Sequence, residues 1–172
     1  EAGWALDPAK NFEVAVVGMP NAENKGFVDY VLWGDDGRPL MLVEAKRTTK
    51  SATVGQQQSK LYADCLEAMY GQRPVIFYSN GYAHWMWDDH MYPPRAVQGF
   101  YKKSELELLV QRRNSRKPLA DTVLNTQIVE RYYQQRAIRR VGASFERDKV
   151  RKSLLVMATG AGKTRTVIAL AD

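Results

Sequence analysis

The 172-residue sequence has one cysteine and two histidines. Cys65 has no partner for an internal disulfide and cannot build a thiolate metal centre alone. His84 and His90 are too few for a multi-histidine zinc site. Such sparse cysteine usage makes a reducing cytoplasm the default setting. Long apolar runs are absent too. The run at residues 154–158, which none exceeds, has the length of a core strand, against the ~20 residues that a membrane helix needs. The N-terminus lacks the basic, apolar and small-residue order of a secretion signal. There is no internal repeat and no low-complexity tract. Hydrophobic residues make up 45% and charged residues 26%, which excludes disordered and fibrous classes and fits one domain, or one plus part of another.

The net charge of +6 is unevenly spread. Residues 1–100 hold 9 basic against 12 acidic side chains, and residues 101–152 hold 14 against 6. A basic segment of that kind suits a phosphate backbone. It equally suits a solvated helical surface.

Residues 114–118, Asn-Ser-Arg-Lys-Pro, read as a polar linker, and Tyr92-Pro93-Pro94-Arg95 as a stiff break. Before the linker the pattern is α/β. Strands are expected at residues 12–17, 27–33 and 39–45, the last two forming an antiparallel hairpin through residues 34–38. A helix is expected over 54–70, with Leu61, Cys65, Leu66 and Met69 on its apolar face and Gly71 ending it. Strands at 75–79 and 82–87 flank Asn80-Gly81, a two-residue hairpin signal. Ser104 and Glu107 are spaced as a capping box opening a short helix. After the linker the pattern is helical to about Arg147. A strand at 153–157, a Gly-rich turn and a helix from Arg165 follow.

Asp29, Glu44 and Lys46 form the first constellation. Glu44 and Lys46, two apart, share a strand face, and Ala45 points the other way, into apolar surroundings. If Trp33 opposes Pro39, Asp29 falls opposite Val43, and a one-residue bulge brings it opposite Glu44. Adjacent carboxylates repel unless a cation sits between them, and Mg²⁺ is typically held by one or two carboxylates. A surface Asp across from a Glu–Lys ion pair fits the spacing as well. The run Leu40-Met41-Leu42-Val43 reads as a buried strand, however, and charges at its mouth need partners.

Asp29 with Glu44-Ala45-Lys46 resembles the PD-(D/E)xK nuclease motif, although Val28 stands where that superfamily often has Pro. Gln58 and Tyr62, at helical spacing i and i+4, match the QxxxY element that follows the nuclease core in type I restriction endonucleases. The resemblance implies Mg²⁺ on Asp29, Glu44 and the Ala45 carbonyl. It also implies that Lys46 stabilises or orients the attack, and that Gln58 and Tyr62 support cleavage more than folding.

The second constellation is Met157-Ala158-Thr159-Gly160-Ala161-Gly162-Lys163-Thr164, a P-loop with Met157 in place of the usual first Gly. In such loops backbone N–H groups, here of residues 160–163, cradle phosphate. Lys163 reaches the β- and γ-phosphates, and the Thr164 hydroxyl ligates the nucleotide's Mg²⁺. The Ala-Thr-Gly-x-Gly-Lys-Thr form resembles motif I of superfamily 2 helicases and translocases. Residues 131–138 look like the Q-motif of those motors, in which Gln134 would read the adenine edge.

Taken together, the order of motifs resembles the restriction subunit of type I restriction–modification enzymes. The resemblance implies a restriction-endonuclease-like mixed sheet flanked by helices over residues 1–112, with its first helix missing before Glu1-Ala2-Gly3-Trp4. A linker at 113–118 and the beginning of a RecA-like motor lobe at 119–172 would follow. It implies Mg²⁺-dependent cleavage of double-stranded DNA, ATP-driven translocation, and methyltransferase and specificity subunits as partners, with no membrane. No acidic motif follows the P-loop before Asp172, so ATP turnover is expected only of the complete subunit. The alternatives are another nuclease–helicase fusion, such as a type III restriction subunit or repair helicase, and a catalytically inert fold that clamps DNA. His84, Trp85, Trp87 and His90 are assigned no chemistry.

Overall fold

Six strands pair in the order in which they occur along the chain. They are β1 (Phe12–Val17), β2 (Lys25–Trp33), β3 (Pro39–Ala45), β4 (Val75–Ser79), β5 (His84–Trp87) and β6 (Arg95–Val97). The computed structural model describes residues 2–4, 6–49 and 51–171; Glu1, at the head of the N-terminal tetrapeptide, lies outside them. The chain divides into two units, Glu1–Ser115 and Arg116–Asp172.

Every strand of the first unit is antiparallel to its neighbours except β3 and β4, which run parallel. A short helix, α1 (Pro8–Asn11), precedes β1. A parallel pair needs a crossover, and α2 (Gln56–Tyr70), entered through a 3-10 turn at Ala52–Gly55, supplies it. β4 is buried throughout and β3 everywhere but Ala45, as befits central strands covered on both faces. On one face, Tyr62, Ala63, Cys65 and Leu66 of α2 pack on Val16, Val31, Leu42, Ile76 and Tyr78. On the other, Leu106 of α3 (Lys103–Ser115) packs on Leu40, Met41, Val43, Val75 and Phe77. The unit is therefore a mixed sheet between two helices, and the parallel β3–α2–β4 crossover carries the site.

Several local expectations are corrected. The buried face of α2 is Ser59, Tyr62, Ala63, Cys65 and Leu66. Leu61 is only half-buried and Met69 is exposed, because the helix lies on the sheet one position away from the stripe of largest apolar residues. The Asn80-Gly81 turn is wider than two residues. Asn80 Oδ1 accepts from the N–H groups of Tyr82 and Ala83 at 3.2 and 2.8 Å, an Asx-type closure that delays β5 to His84. Ser104 and Glu107 do not form the box that opens α3; instead Glu105 reaches back to the Lys102 N–H at 2.8 Å. The short helix expected there runs 13 residues, into the expected linker. β6 follows the Pro-Pro break directly.

Among the described residues of the second unit, helix is confined to a 3-10 turn at Leu119–Asp121, α4 (Tyr132–Arg147) and α5 (Lys163–Ala171). The region before α4 is not helical, because Asn125 captures the chain. Its side chain accepts from the Gln127 N–H, and its carbonyl from the N–H groups of Ile128 and Val129, a local alternative to helix. Val129, Ile138 and Ala169 form a small core. Residues 153–157 are not a strand among the described residues. Leu154 and Val156 are 87% and 83% exposed, since a strand exists only through a paired neighbour.

Candidate functional site

The β2–β3 pairing decides where the carboxylates fall. Trp33 pairs with Pro39, the register shifts by one between Leu32 and Trp33, and Tyr30 then pairs with Val43. Of the two registers open to the sequence, the bulged one is found, and the paired ladder runs as far as Tyr30 and Val43, one residue short of Asp29 and Glu44. Asp29 is tied to β3 by accepting the Ala45 N–H on Oδ2 at 2.6 Å.

Glu44 is 3% exposed. The Lys46 ammonium donates to its Oε1 at 2.5 Å and to Gln58 Oε1 at 3.1 Å. Gln58 Nε2 in turn donates to the Tyr62 hydroxyl at 2.7 Å. Glu44 at the end of β3, Lys46 just beyond it and the two α2 residues thus form one hydrogen-bonded chain, Glu44–Lys46–Gln58–Tyr62. Tyr62 is 5% exposed and belongs to the core. Its hydroxyl holds the Gln58 amide from within that core. Ala45, expected to face apolar surroundings, is exposed, because β3 ends there.

Among the described residues, Glu44 Oε2 has no hydrogen-bond partner. Burial pushes the Glu44 carboxyl above its ordinary value; the Lys46 hydrogen bond opposes this, Asp29 adds to it, and the charge of Lys46 again opposes it. A lysine ammonium has three donors, and two are spent on Glu44 and Gln58. One remains.

Gly55 was not singled out in the sequence. A Cβ at Gly55 would stand 3.1 Å from both Glu44 Cγ and Lys46 Cε, so glycine lets the 3-10 turn lie directly on the pair. Its position three residues before Gln58 was the available signal. Tyr78, the register partner of Glu44, was also missed, because a tyrosine inside a buried apolar run reads as core.

In the second unit, residues 158–162 form a turn before α5, with Gly160 and Gly162 at φ +79° and +81°. A Cβ at Gly160 would meet nothing within 4 Å, so that side of the loop is open. Lys163 Nζ approaches the carbonyls of Met157 and Ala158 at 3.4 and 3.3 Å. The Ala161 N–H donates back to the Ala158 carbonyl. Thr159 and Thr164 are exposed. Gln134 is 2% exposed and both ends of its amide are engaged. Nε2 donates to the Ala161 carbonyl at 3.0 Å, and Oε1 accepts the Arg131 N–H at 3.4 Å. The Tyr133 hydroxyl donates to the same carbonyl at 3.1 Å. The first turn of α4 thereby props the loop.

Among the described residues, no helix is long and apolar enough to cross a membrane. Residues 127–172, the stretch that holds Gln134 and the loop, match the family described as the res subunit of type III restriction enzymes. This segment is thus similar to restriction-type helicases. Over the whole chain, a similarity is found to a solved fragment described as an HsdR subunit of a type I restriction enzyme from Vibrio vulnificus YJ016. That structure is 26% identical, with 94% of this chain and 31% of the other covered and a TM-score of 0.45. The chain spans about a third of that relative's length. No curated protein matches the chain.

Proposed function

We propose that this chain is the nuclease and early motor portion of a type I restriction subunit, cutting double-stranded DNA at Asp29, Glu44 and Lys46 and binding ATP at residues 159–164. The observation that carries the nuclease reading is the state of Glu44. It is a buried carboxylate with one oxygen fixed by Lys46, the other without a partner, and a second carboxylate across the strand pair. A buried charge needs compensation, and an unpartnered oxygen beside Asp29 fits a hard divalent cation. Two carboxylates and the Ala45 carbonyl form an oxygen donor set of the kind Mg²⁺ takes alongside water and phosphate. Bound there, Mg²⁺ supplies Lewis-acid stabilisation of the departing phosphodiester oxygen and an acidified water. Lys46 presents its third N–H to the scissile phosphate or the attacking water. Gln58 and Tyr62 hold Lys46 against rotation, so that charge stabilisation is in place before reaction.

The family match over residues 127–172 supports the motor reading. Thr159, Gly160, Ala161, Gly162, Lys163 and Thr164 are the nucleotide-binding residues, with Thr164 on the nucleotide's Mg²⁺. Gln134 reads adenine once its bond to the Ala161 carbonyl is exchanged. The basic segment 101–152 supplies the charge for duplex DNA. Methyltransferase and specificity subunits are the partners, in the cytoplasm.

The description of the matched family favours a second reading, a type III restriction subunit. Purification of the full-length protein with its partners separates the two: a type I subunit assembles with a distinct specificity subunit. The nuclease reading is tested in that assembly by Lys46→Ala, scored for plasmid cleavage and ATP hydrolysis together. Cleavage retained by Lys46→Ala would leave a fold that only clamps DNA.

A further inference from the structure

Two buried polar atoms without partners belong to register neighbours. Glu44 of β3 pairs with Tyr78 of β4, and among the described residues neither Glu44 Oε2 nor the Tyr78 hydroxyl has a hydrogen-bond partner. Residues paired across adjacent strands project to the same face of a sheet. The preceding register pair, Leu42 and Ile76, identifies that face, since both pack in the α2-side core with Tyr78 itself. Tyr78 is 0% exposed. Its ring is stacked on Trp85, with centroids 6.1 Å apart and planes 8° from parallel, and its hydroxyl is buried. Above Glu44 lies the 3-10 turn, which packs on β3, β4 and β5 and brings Gly55 against Glu44 Cγ. Burial alone pushes the Tyr78 hydroxyl up to about 12.

We infer that Tyr78 is a positioning residue for Glu44, its hydroxyl joined to Glu44 Oε2 through one buried water. The inference rests on the reading of Asp29, Glu44 and Ala45 as a divalent-cation site. A buried water needs two to four polar partners, and a carboxylate oxygen with a hydroxyl supplies two. An unpartnered buried hydroxyl and an unpartnered buried carboxylate oxygen each carry a desolvation cost. One water between register neighbours relieves both. Carboxylates that hold metals are themselves held by outer hydrogen bonds. Glu44 would then be fixed on both oxygens, by Lys46 at Oε1 and by the water at Oε2. Oε2 would keep a second lone pair for a cation.

The test uses the full-length protein without nucleotide and Mn²⁺ as the probe, its binding followed by electron paramagnetic resonance. Tyr78→Phe keeps the ring on Trp85 and removes only the hydroxyl. Mn²⁺ affinity is expected to fall roughly tenfold, the lower end of outer-partner effects, with no rise in the melting temperature of the metal-free protein. Unchanged Mn²⁺ affinity overturns the inference. A raised melting temperature beside it would mark the hydroxyl as idle, since deleting an idle buried hydroxyl stabilises. Glu44→Gln separates the two levels. If that variant binds Mn²⁺ like wild type, the cation-site reading itself fails; if it loses binding while Tyr78→Phe does not, only the role of Tyr78 falls. A crystal structure of the unsubstituted protein decides the matter should Tyr78→Phe not fold. A water within hydrogen-bond distance of both atoms supports the inference, and a dry interval overturns it.

Discussion

The site on β2, β3 and α2 is made of side chains, whereas the loop before α5 is made of backbone. In the first, Glu44, Lys46, Gln58 and Tyr62 each hold the next, and three of the four are anchored on elements of the central crossover. In the second, two glycines at positive φ shape the turn, and Gln134 and Tyr133 brace it from α4 at one carbonyl. A side-chain site fails when a functional group is removed. A backbone site fails when a Cβ is added. That difference orders the tests.

The largest effects come from the two lysines. Lys46→Ala is expected to lower plasmid cleavage by at least ~100-fold, the scale of losing one preorganised electrostatic group, with ATP hydrolysis at the wild-type level. Lys163→Ala is expected to abolish ATP hydrolysis, and with it any cleavage that depends on translocation. Both are read in the same assembled enzyme. If Lys46→Ala also removed ATP hydrolysis, the two sites would not be separable and the comparison would break.

Tyr62 comes next, because it belongs to the site and the core at once. Tyr62→Ala empties a buried aromatic position and is expected to cost about 3–5 kcal/mol in denaturant unfolding. Tyr62→Phe loses only the bond from Gln58, about 1 kcal/mol, yet should still slow cleavage, since Gln58 and then Lys46 lose their brace. Equal losses of cleavage and stability in Tyr62→Phe would reduce Tyr62 to a packing residue.

The backbone site is sharpened by its two glycines. A Cβ at Gly162 would stand 2.3 Å from Gln134 Nε2, whereas at Gly160 it meets nothing within 4 Å. Both alanines carry the strain of positive φ, of order 1–3 kcal/mol. Gly162→Ala adds a collision with a buried side chain and is expected to weaken binding of a fluorescent nucleotide more than Gly160→Ala does. In a Gln134→Ala background that difference should vanish, which titration of all four variants would show.

How far the sequence could be read follows the same division. The β2–β3 hairpin and the helix between β3 and β4 were legible, because alternation and turn residues act over short spans, whereas the parallel pairing of β3 with β4 was not, because it joins strands distant in sequence. The bulge was legible only as one of two registers, since a one-residue shift is decided by packing along the whole strand. The partner of Tyr62 could be read from helical spacing, but its burial could not, because that depends on which face α2 turns to Val16 and Leu42. Residues 153–157 have the composition of a strand, and nothing in them specifies a neighbour to pair with. Gly55 and Tyr78 act through elements that meet only in the fold.

The smallest expected effect is a pH dependence, and it isolates the side-chain site. Burial holds the Glu44 carboxyl above its ordinary value, with Lys46 opposing and Asp29 adding. The folded protein thus binds that proton more tightly than the unfolded chain does. The stabilising contribution is complete below the ordinary carboxylate value and is lost as pH rises through the raised folded value. Metal-free wild type should therefore lose stability relative to Glu44→Gln as pH climbs across that window, which thermal unfolding at several pH values measures. Cation binding needs the ionised carboxylate, so Mn²⁺ affinity should run the other way and fall as pH drops through the same window. Lys163→Ala leaves Glu44 and its neighbours untouched and should reproduce both wild-type curves. If Glu44→Gln shows the same stability slope as wild type, the slope belongs to another group, and Glu44 is not the buried charge that the first site is built around.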